Sequence, residues 1–251
     1  MNKTAIVTGG SRNIGKETAI ELASESVDII ITYNEKAERA NETVKELEAL
    51  GVKATAFQIN FETTSQIKSF VEKVQETLTK WGKSGVDILI NNAGIARIAP
   101  FDKVTEADID AVFGVNYKSI FFLTQQLLPI LNDGGRIVNL GSGTARIAFG
   151  PLVSYGPSKA ALQSLTLYLA SFLGSKKITV NAVAPGGLKD DFNAPFIDGI
   201  FPAFEQVVTS NTAVGRIGLP NDVSKVIAFL CSDQASFISG AIIPIDGGYH
   251  L

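Results

Sequence analysis

The sequence predicts a single α/β domain, a doubly wound parallel sheet held between two layers of helices. Three observations predict it. Short β-branched runs alternate with longer amphipathic segments along nearly the whole chain. The short runs, such as Val27-Asp28-Ile29-Ile30-Ile31-Thr32, are nearly continuous in apolar character, as strands covered on both faces are. The first run leads straight into a glycine-rich turn, Thr8-Gly9-Gly10-Ser11-Arg12-Asn13-Ile14-Gly15, and a helix follows. A length of 251 residues fits one such domain, and no repeat, low-complexity stretch or linker divides it.

Taken in order, residues 4–7 read as the first strand and 14–23 as a helix. Residues 27–32 form a buried strand, and 35–50 a helix that Gly51 ends. A strand over 54–59, a helix over 65–80 and a strand over 87–91 continue the alternation. Helical segments are expected over 106–131, then a strand over 136–140, a helix over 154–173 and a strand over 178–183. Residues 222–231 read as a helix, and 241–245 as the closing strand. The rhythm breaks at 186–218, which is long for a simple loop and carries Phe192, Phe196, Phe201 and Phe204. An insertion of this kind in a compact domain is expected to be a substrate-binding lid.

Composition excludes several kinds of function. The net charge is −3, from 22 basic and 25 acidic residues, which leaves no electrostatic case for binding nucleic acid. One cysteine, Cys231, allows no internal disulfide and no multi-cysteine metal site. One histidine, His250, stands next to the last residue and argues against histidine triads and HExxH zinc sites. No metal site is expected. No run approaches the ~18 apolar residues of a membrane span, and no leader segment is visible. The chain therefore reads as a soluble cytoplasmic protein with no membrane partner.

The glycine-rich turn sits where a doubly wound sheet binds a dinucleotide pyrophosphate. Glycines allow close backbone approach, and a helix N-terminus supplies N–H donors. A tight strand–helix turn without a ligand is the other reading of this segment alone. The turn resembles the TGxxxGxG fingerprint of the short-chain dehydrogenase/reductase family, and further matches lie in order along the chain. Asn91-Asn92-Ala93-Gly94 resembles the family's NNAG, and Pro185-Gly186 its PG turn. Asp246-Gly247-Gly248 resembles its DGG, and Asn116, Ser142, Tyr155 and Lys159 resemble its catalytic tetrad. Two residues depart from the pattern. Asn13 replaces the second glycine, a change the turn tolerates because asparagine accepts positive φ. Asn60 stands where the family often has aspartate.

The resemblance implies a Rossmann-like fold and a nicotinamide cofactor. Its site would be built from Gly9, Ser11, Arg12, Asn13, Ile14 and Gly15, with Tyr33, Asn34, Asn60 and Phe61 toward the adenosine. Asn92, Ala93, Gly94, Tyr155, Lys159, Pro185, Gly186 and Leu188 would complete it. The second strand ends in Thr32-Tyr33-Asn34, without the acid that accepts from a ribose 2′-OH. Arg12 offers a guanidinium to a 2′-phosphate, so NADP(H) is expected ahead of NAD(H), although Glu35 lies close. The family's threonine after the PG turn is missing. Lys189 could meet a pyrophosphate or be a solvated lid residue.

Tyr155 and Lys159 lie four residues apart, on one face of a helix. Hydride addition to a carbonyl creates an alkoxide that needs a proton. A phenol can give it if a nearby ammonium lowers its pKa from about 10. By the resemblance, Tyr155 is the general acid/base and Lys159 holds the ribose and tunes Tyr155. Ser142 then bonds the substrate oxygen, and Asn116 orders a relay water. The expected activity is interconversion of a ketone or aldehyde, including a 3-oxoacyl group, and an alcohol. A carrier-protein substrate would need a basic entrance, for which Lys176-Lys177 is the candidate. A non-catalytic dinucleotide sensor or assembly factor on the same fold is the alternative. The partners expected are a small carbonyl or alcohol and further copies of the chain.

Charged residues make up 19% of the chain, below the ~25% usual for soluble domains. The helical segments at 106–131 and 154–173 are apolar around much of their circumference. Both facts point to a homotetramer or homodimer, with Tyr249 and Leu251 able to reach a neighbour.

Overall fold

The computed structural model describes residues 2–193 and 203–250. Phe196, Phe201 and Leu251 lie outside the described residues. Seven strands form one parallel sheet: β1 (Thr4–Val7), β2 (Asp28–Tyr33), β3 (Ala54–Gln58), β4 (Val86–Asn91), β5 (Leu131–Leu140), β6 (Thr179–Pro185) and β7 (Ile242–Ile245). Their order is β3-β2-β1-β4-β5-β6-β7. The chain winds one way from β1 to β3 and the other from β4 to β7. The carboxyl ends of β1 and β4 therefore flank a switch point, where this architecture opens a crevice.

The described residues form eight α-helices: α1 (Asn13–Ser24), α2 (Ala37–Ala49), α3 (Ile67–Trp81), α4 (Glu106–Phe113), α5 (Ser119–Leu127), α6 (Tyr155–Leu173), α7 (Phe204–Ser210) and α8 (Pro220–Cys231). Alternate residues along each strand feed opposite cores. Ala5, Val7, Ile29, Ile31, Ile88 and Ile90 pack with α1, α2 and α8. Ile6, Ile30, Leu89 and Ile137 pack with α3, α5 and α6. This period of two places a core on each face and explains why the strands read as unbroken apolar runs. No helix among the described residues is long and apolar enough to cross a membrane.

A buried polar chain crosses the second core. Asn91 and Asn139 stand opposite each other in β4 and β5. The Asn91 amide donates to Asn139 Oδ1 at 2.8 Å, and the Asn139 amide donates to Thr166 Oγ1 of α6 at 3.0 Å.

Three departures from the sequence-based expectation have clear causes. The helical segments expected over 106–131 are divided by a π-turn at Gly114–Lys118 between α4 and α5, and they stop short of Leu131 at a 3-10 turn, Leu128–Ile130, containing Pro129. Leu131 already pairs with Val86, so β5 begins earlier than Arg136, across a register shift. Gly134 there takes φ +77°, which lets the chain loop out and rejoin the ladder. The stretch over 186–218 also holds a helix, α7, too short for its periodicity to show in the sequence.

Candidate active site

The turn between β1 and α1 is fastened to the end of β4. Thr8 Oγ1 accepts from the amides of Asn92 and Ala93, each at 2.9 Å. The Asn92 side-chain amide donates to the carbonyls of Thr8 at 2.8 Å and Gly9 at 3.1 Å. Gly9 N donates to Thr32 Oγ1 at 3.1 Å, which ties the turn to β2 as well. Gly15 is required by closeness: a Cβ there would collide with the Gly9 carbonyl and stand 2.5 Å from Asn92 Nδ2. Asn13 takes φ +50°, the conformation its replacement of glycine demands. No side chain caps the N-terminus of α1, so its first amides are free to meet an anion.

These residues form one wall of a cavity of about 720 Å³ that runs along the carboxyl ends of the strands. Every residue assigned to the cofactor by resemblance lines it: Gly9, Ser11, Arg12, Asn13, Ile14, Gly15, Tyr33, Asn34, Asn60, Phe61, Asn92, Ala93, Gly94, Tyr155, Lys159, Pro185, Gly186 and Leu188. Asn60 Oδ1 accepts from Glu62 N at 2.9 Å, so this amide shapes its own turn. At the far end, Gly186 N donates to Ile245 O at 3.1 Å. A Cβ on Gly186 would stand 2.9 Å from Asp246 Cα, which explains why the two glycine motifs face each other.

Tyr155 opens α6, and Lys159 follows one turn later; both are buried. Lys159 Nζ donates to the Leu140 carbonyl at 2.6 Å and lies 5.6 Å from the Tyr155 ring centre. Ser142, two residues beyond Leu140, shares a hydrogen bond of 2.8 Å with the Thr144 hydroxyl. Burial pushes the Tyr155 phenol up to about 12; the Ser142 hydroxyl opposes the rise and the Asp190 carboxylate adds to it. The sequence led us to expect a phenol lowered by Lys159. Around this buried ring the loss of water from the phenolate dominates, and Lys159 is not among the groups that lower it. Burial also pushes Lys159 down, to about 8.

Ser142 lines the cavity, whereas Asn116 does not. Asn116 is fully buried in the π-turn behind it. Its amide donates to Ile95 O at 2.9 Å and Ser158 Oγ at 3.0 Å, and its Oδ1 accepts from Ile95 N at 2.9 Å. The side chain thus clamps the segment after the NNAG motif to α6. Turns of this kind recur at functional sites.

The wall beyond Tyr155 is apolar: Phe149, Leu152, Phe192, Phe204 and Val207 line it, and the Phe192 ring stands 5.7 Å from that of Tyr155. Tyr249 and His250 line it too, so the histidine set aside on its position reaches the cavity through the chain end. Lys189 does not line the cavity; it is exposed and pairs with Glu205 at 3.4 Å. Sequence reasoning missed Lys36 and Arg39, which line the cavity from the start of α2. Their signal was present: basic residues three apart, directly after the second strand.

The chain matches the family model described as enoyl-(acyl carrier protein) reductase over residues 9–250. It is 32% identical to a 3-oxoacyl-(acyl-carrier-protein) reductase from Staphylococcus aureus, over 100% of this chain and 99% of that protein. A short-chain dehydrogenase from Burkholderia cenocepacia, solved in complex with NADP, superposes with a TM-score of 0.90 at 39% identity, covering 98% of this chain and 97% of that one. The angucycline C-6 ketoreductase LanV, solved with bound NADP, gives a TM-score of 0.92 at 34% identity, covering 99% and 95%. With ordered motifs, fold and cavity all in agreement, this chain belongs to the short-chain dehydrogenase/reductase family of oxidoreductases.

Proposed function

We propose that this protein is an NADP(H)-dependent oxidoreductase that interconverts a ketone or aldehyde and the corresponding alcohol. The observation that carries the reading is the buried cluster of Tyr155, Lys159 and Ser142 in the wall of the cavity that also holds the glycine turn. The uncapped start of α1 and the close-packed Gly15 suit a pyrophosphate, and NADP is bound in the solved relatives named above. When bound, NADP(H) supplies or accepts the hydride.

The chain's own residues do the rest. Ser142 donates to the carbonyl oxygen. Tyr155 gives its phenolic proton to that oxygen as it becomes an alkoxide, and takes it back in the reverse direction. A phenol, protonated at neutral pH, can serve as the acid of a reduction. Lys159 holds the ribose hydroxyls and offsets the negative charge left on Tyr155. Asn116 fixes the segment through which a water reaches Lys159. Arg12, in the cavity lining, would hold the 2′-phosphate. The described residues on either side of 194–202 serve as the lid: Leu188, Phe192, Phe204 and Val207 supply an apolar cover for the substrate.

The protein works as a homotetramer or homodimer. This rests on the apolar side chains exposed along α5 and α6, namely Phe121, Leu167, Tyr168 and Phe172. NADPH oxidation measured with a panel that includes a 3-oxoacyl thioester and aromatic ketones tests the activity. Tyr155→Phe should lower kcat by at least about a hundredfold while cofactor Kd changes little. A variant keeping more than about a tenth of wild-type kcat would remove Tyr155 from the role of general acid. Tight NADPH binding with no turnover on any carbonyl would favour a non-catalytic sensor instead.

A further inference from the structure

Two guanidiniums at the adenosine end of the cavity converge on one carboxylate. Arg12 comes from the glycine turn and Arg39 from the first turn of α2. Both line the cavity beside Tyr33 and Asn34. Asp191, five residues beyond Gly186, places Oδ2 at 2.7 Å from Arg39 Nη1 and 3.6 Å from Arg12 Nη1. Asp191 itself stands outside the cavity lining, at its rim. The three side chains are each about half exposed. Nothing in the local sequence of any of them announces this meeting: Arg39 and Asp191 are 152 residues apart.

We infer that Asp191 is a specificity-determining residue that weakens the hold of Arg12 and Arg39 on a 2′-phosphate and so sets the balance between NADPH and NADH. The inference rests on the NADP(H) reading above. Each arginine spends one Nη1 edge on Asp191 and keeps other N–H donors for a second anion. A 2′-phosphate and the carboxylate then share two positive charges, and the two anions repel. A 2′-hydroxyl in the same place feels no such repulsion. Whether the carboxylate stays beside the phosphate or swings away from it, binding the phosphorylated cofactor carries a cost that binding NADH escapes. Glu35 and Lys36 also line this end, and Asp190 lines the cavity within electrostatic reach of Arg12, but among the described residues Asp191 is the carboxylate paired with both guanidiniums. The ion pairs are exposed, so the effect is moderate and sensitive to salt.

The test is a set of Kd values for NADPH and NADH, by fluorescence titration at low and high salt. The proteins are wild type, Asp191→Asn, an Arg12→Ala/Arg39→Ala double variant and the triple variant. We expect Asp191→Asn to raise the NADH-to-NADPH ratio of Kd values about three- to tenfold at low salt, mostly through NADPH. The gain should shrink at high salt and be smaller when both arginines, which hold Asp191 in place, are gone. A ratio unchanged within about twofold would overturn the inference, as would equal shifts for both cofactors, which would make Asp191 a clasp over their shared part. If the arginine double variant discriminates against NADPH but Asp191→Asn does nothing, the inference fails while the NADP(H) reading stands. If the double variant leaves the ratio untouched, the assignment of the 2′-phosphate to these arginines fails, and the role of Asp191 with it.

Discussion

Lys159 carries a stability cost that can be measured directly. Its ammonium is buried between β5 and α6, and its pKa falls from an ordinary 10.5 to about 8. At roughly 1.4 kcal/mol per pH unit, that drop is on the order of 3 kcal/mol of folding free energy lost at pH 7 by keeping the charge inside. Lys159→Met removes the charge and keeps the volume, but leaves the Leu140 carbonyl without its 2.6 Å donor. An orphaned buried acceptor costs about 1–3 kcal/mol. The variant should therefore be more stable than wild type at pH 7 by about 1 kcal/mol, a Tm rise of about 2–4 °C for a domain of this size. The pH dependence follows with a definite sign. Between about pH 8 and 10.5 the unfolded chain keeps a proton on Lys159 that the folded chain has released. Wild-type stability from this group therefore rises with pH across that window. By about pH 9.5 the advantage of the variant should be gone. Scanning calorimetry at fixed protein concentration and both pH values is the assay. A variant less stable than wild type at pH 7, or an advantage that does not shrink on raising the pH, would refute the reasoning. Activity should fall sharply in the same variant, since the ammonium serves chemistry at the expense of stability.

Gly15→Ala should weaken cofactor binding by more than about tenfold and destabilise the fold by about 1–3 kcal/mol, because its Cβ has no room against Gly9 and Asn92. Titration and thermal unfolding of the purified variant measure both. Asn13→Gly should leave stability within about 1 kcal/mol of wild type and cofactor Kd unchanged or lower, since glycine is at ease at φ +50°; a large loss of affinity would show that the Asn13 side chain makes its own contact. Light scattering at micromolar concentration should find a tetramer or dimer, and a single species at the 26.7 kDa chain mass would rule out assembly.

Much of this fold is legible in the sequence because a buried parallel strand and an amphipathic helix have different periods. The glycine turn is legible because each glycine answers a specific lack of space, and Asn13 because its residue type predicts its positive φ. Other features leave no local trace. The π-turn around Asn116 hides inside a helical pattern, since a locally wider turn changes no composition. The phenol of Tyr155 goes up rather than down because burial depends on neighbours from distant segments. Arg39 and Asp191 meet only because α2 and the segment after β6 both start at the same rim.

The polar chain through the second core has one more consequence. Asn139 holds α6 at Thr166, and the next residue along β5, Leu140, holds it at Lys159. The two attachment points are seven residues apart, two turns along one helix face. A helix gripped only by leucines could slide lengthwise by a fraction of a turn at small cost. Here any sliding would strip partners from a buried amide and a buried ammonium together. Asn139 thus works as a dowel: it fixes the lengthwise position of α6 about 16 Å from Tyr155, at 1.5 Å per residue, and the phenol inherits that setting.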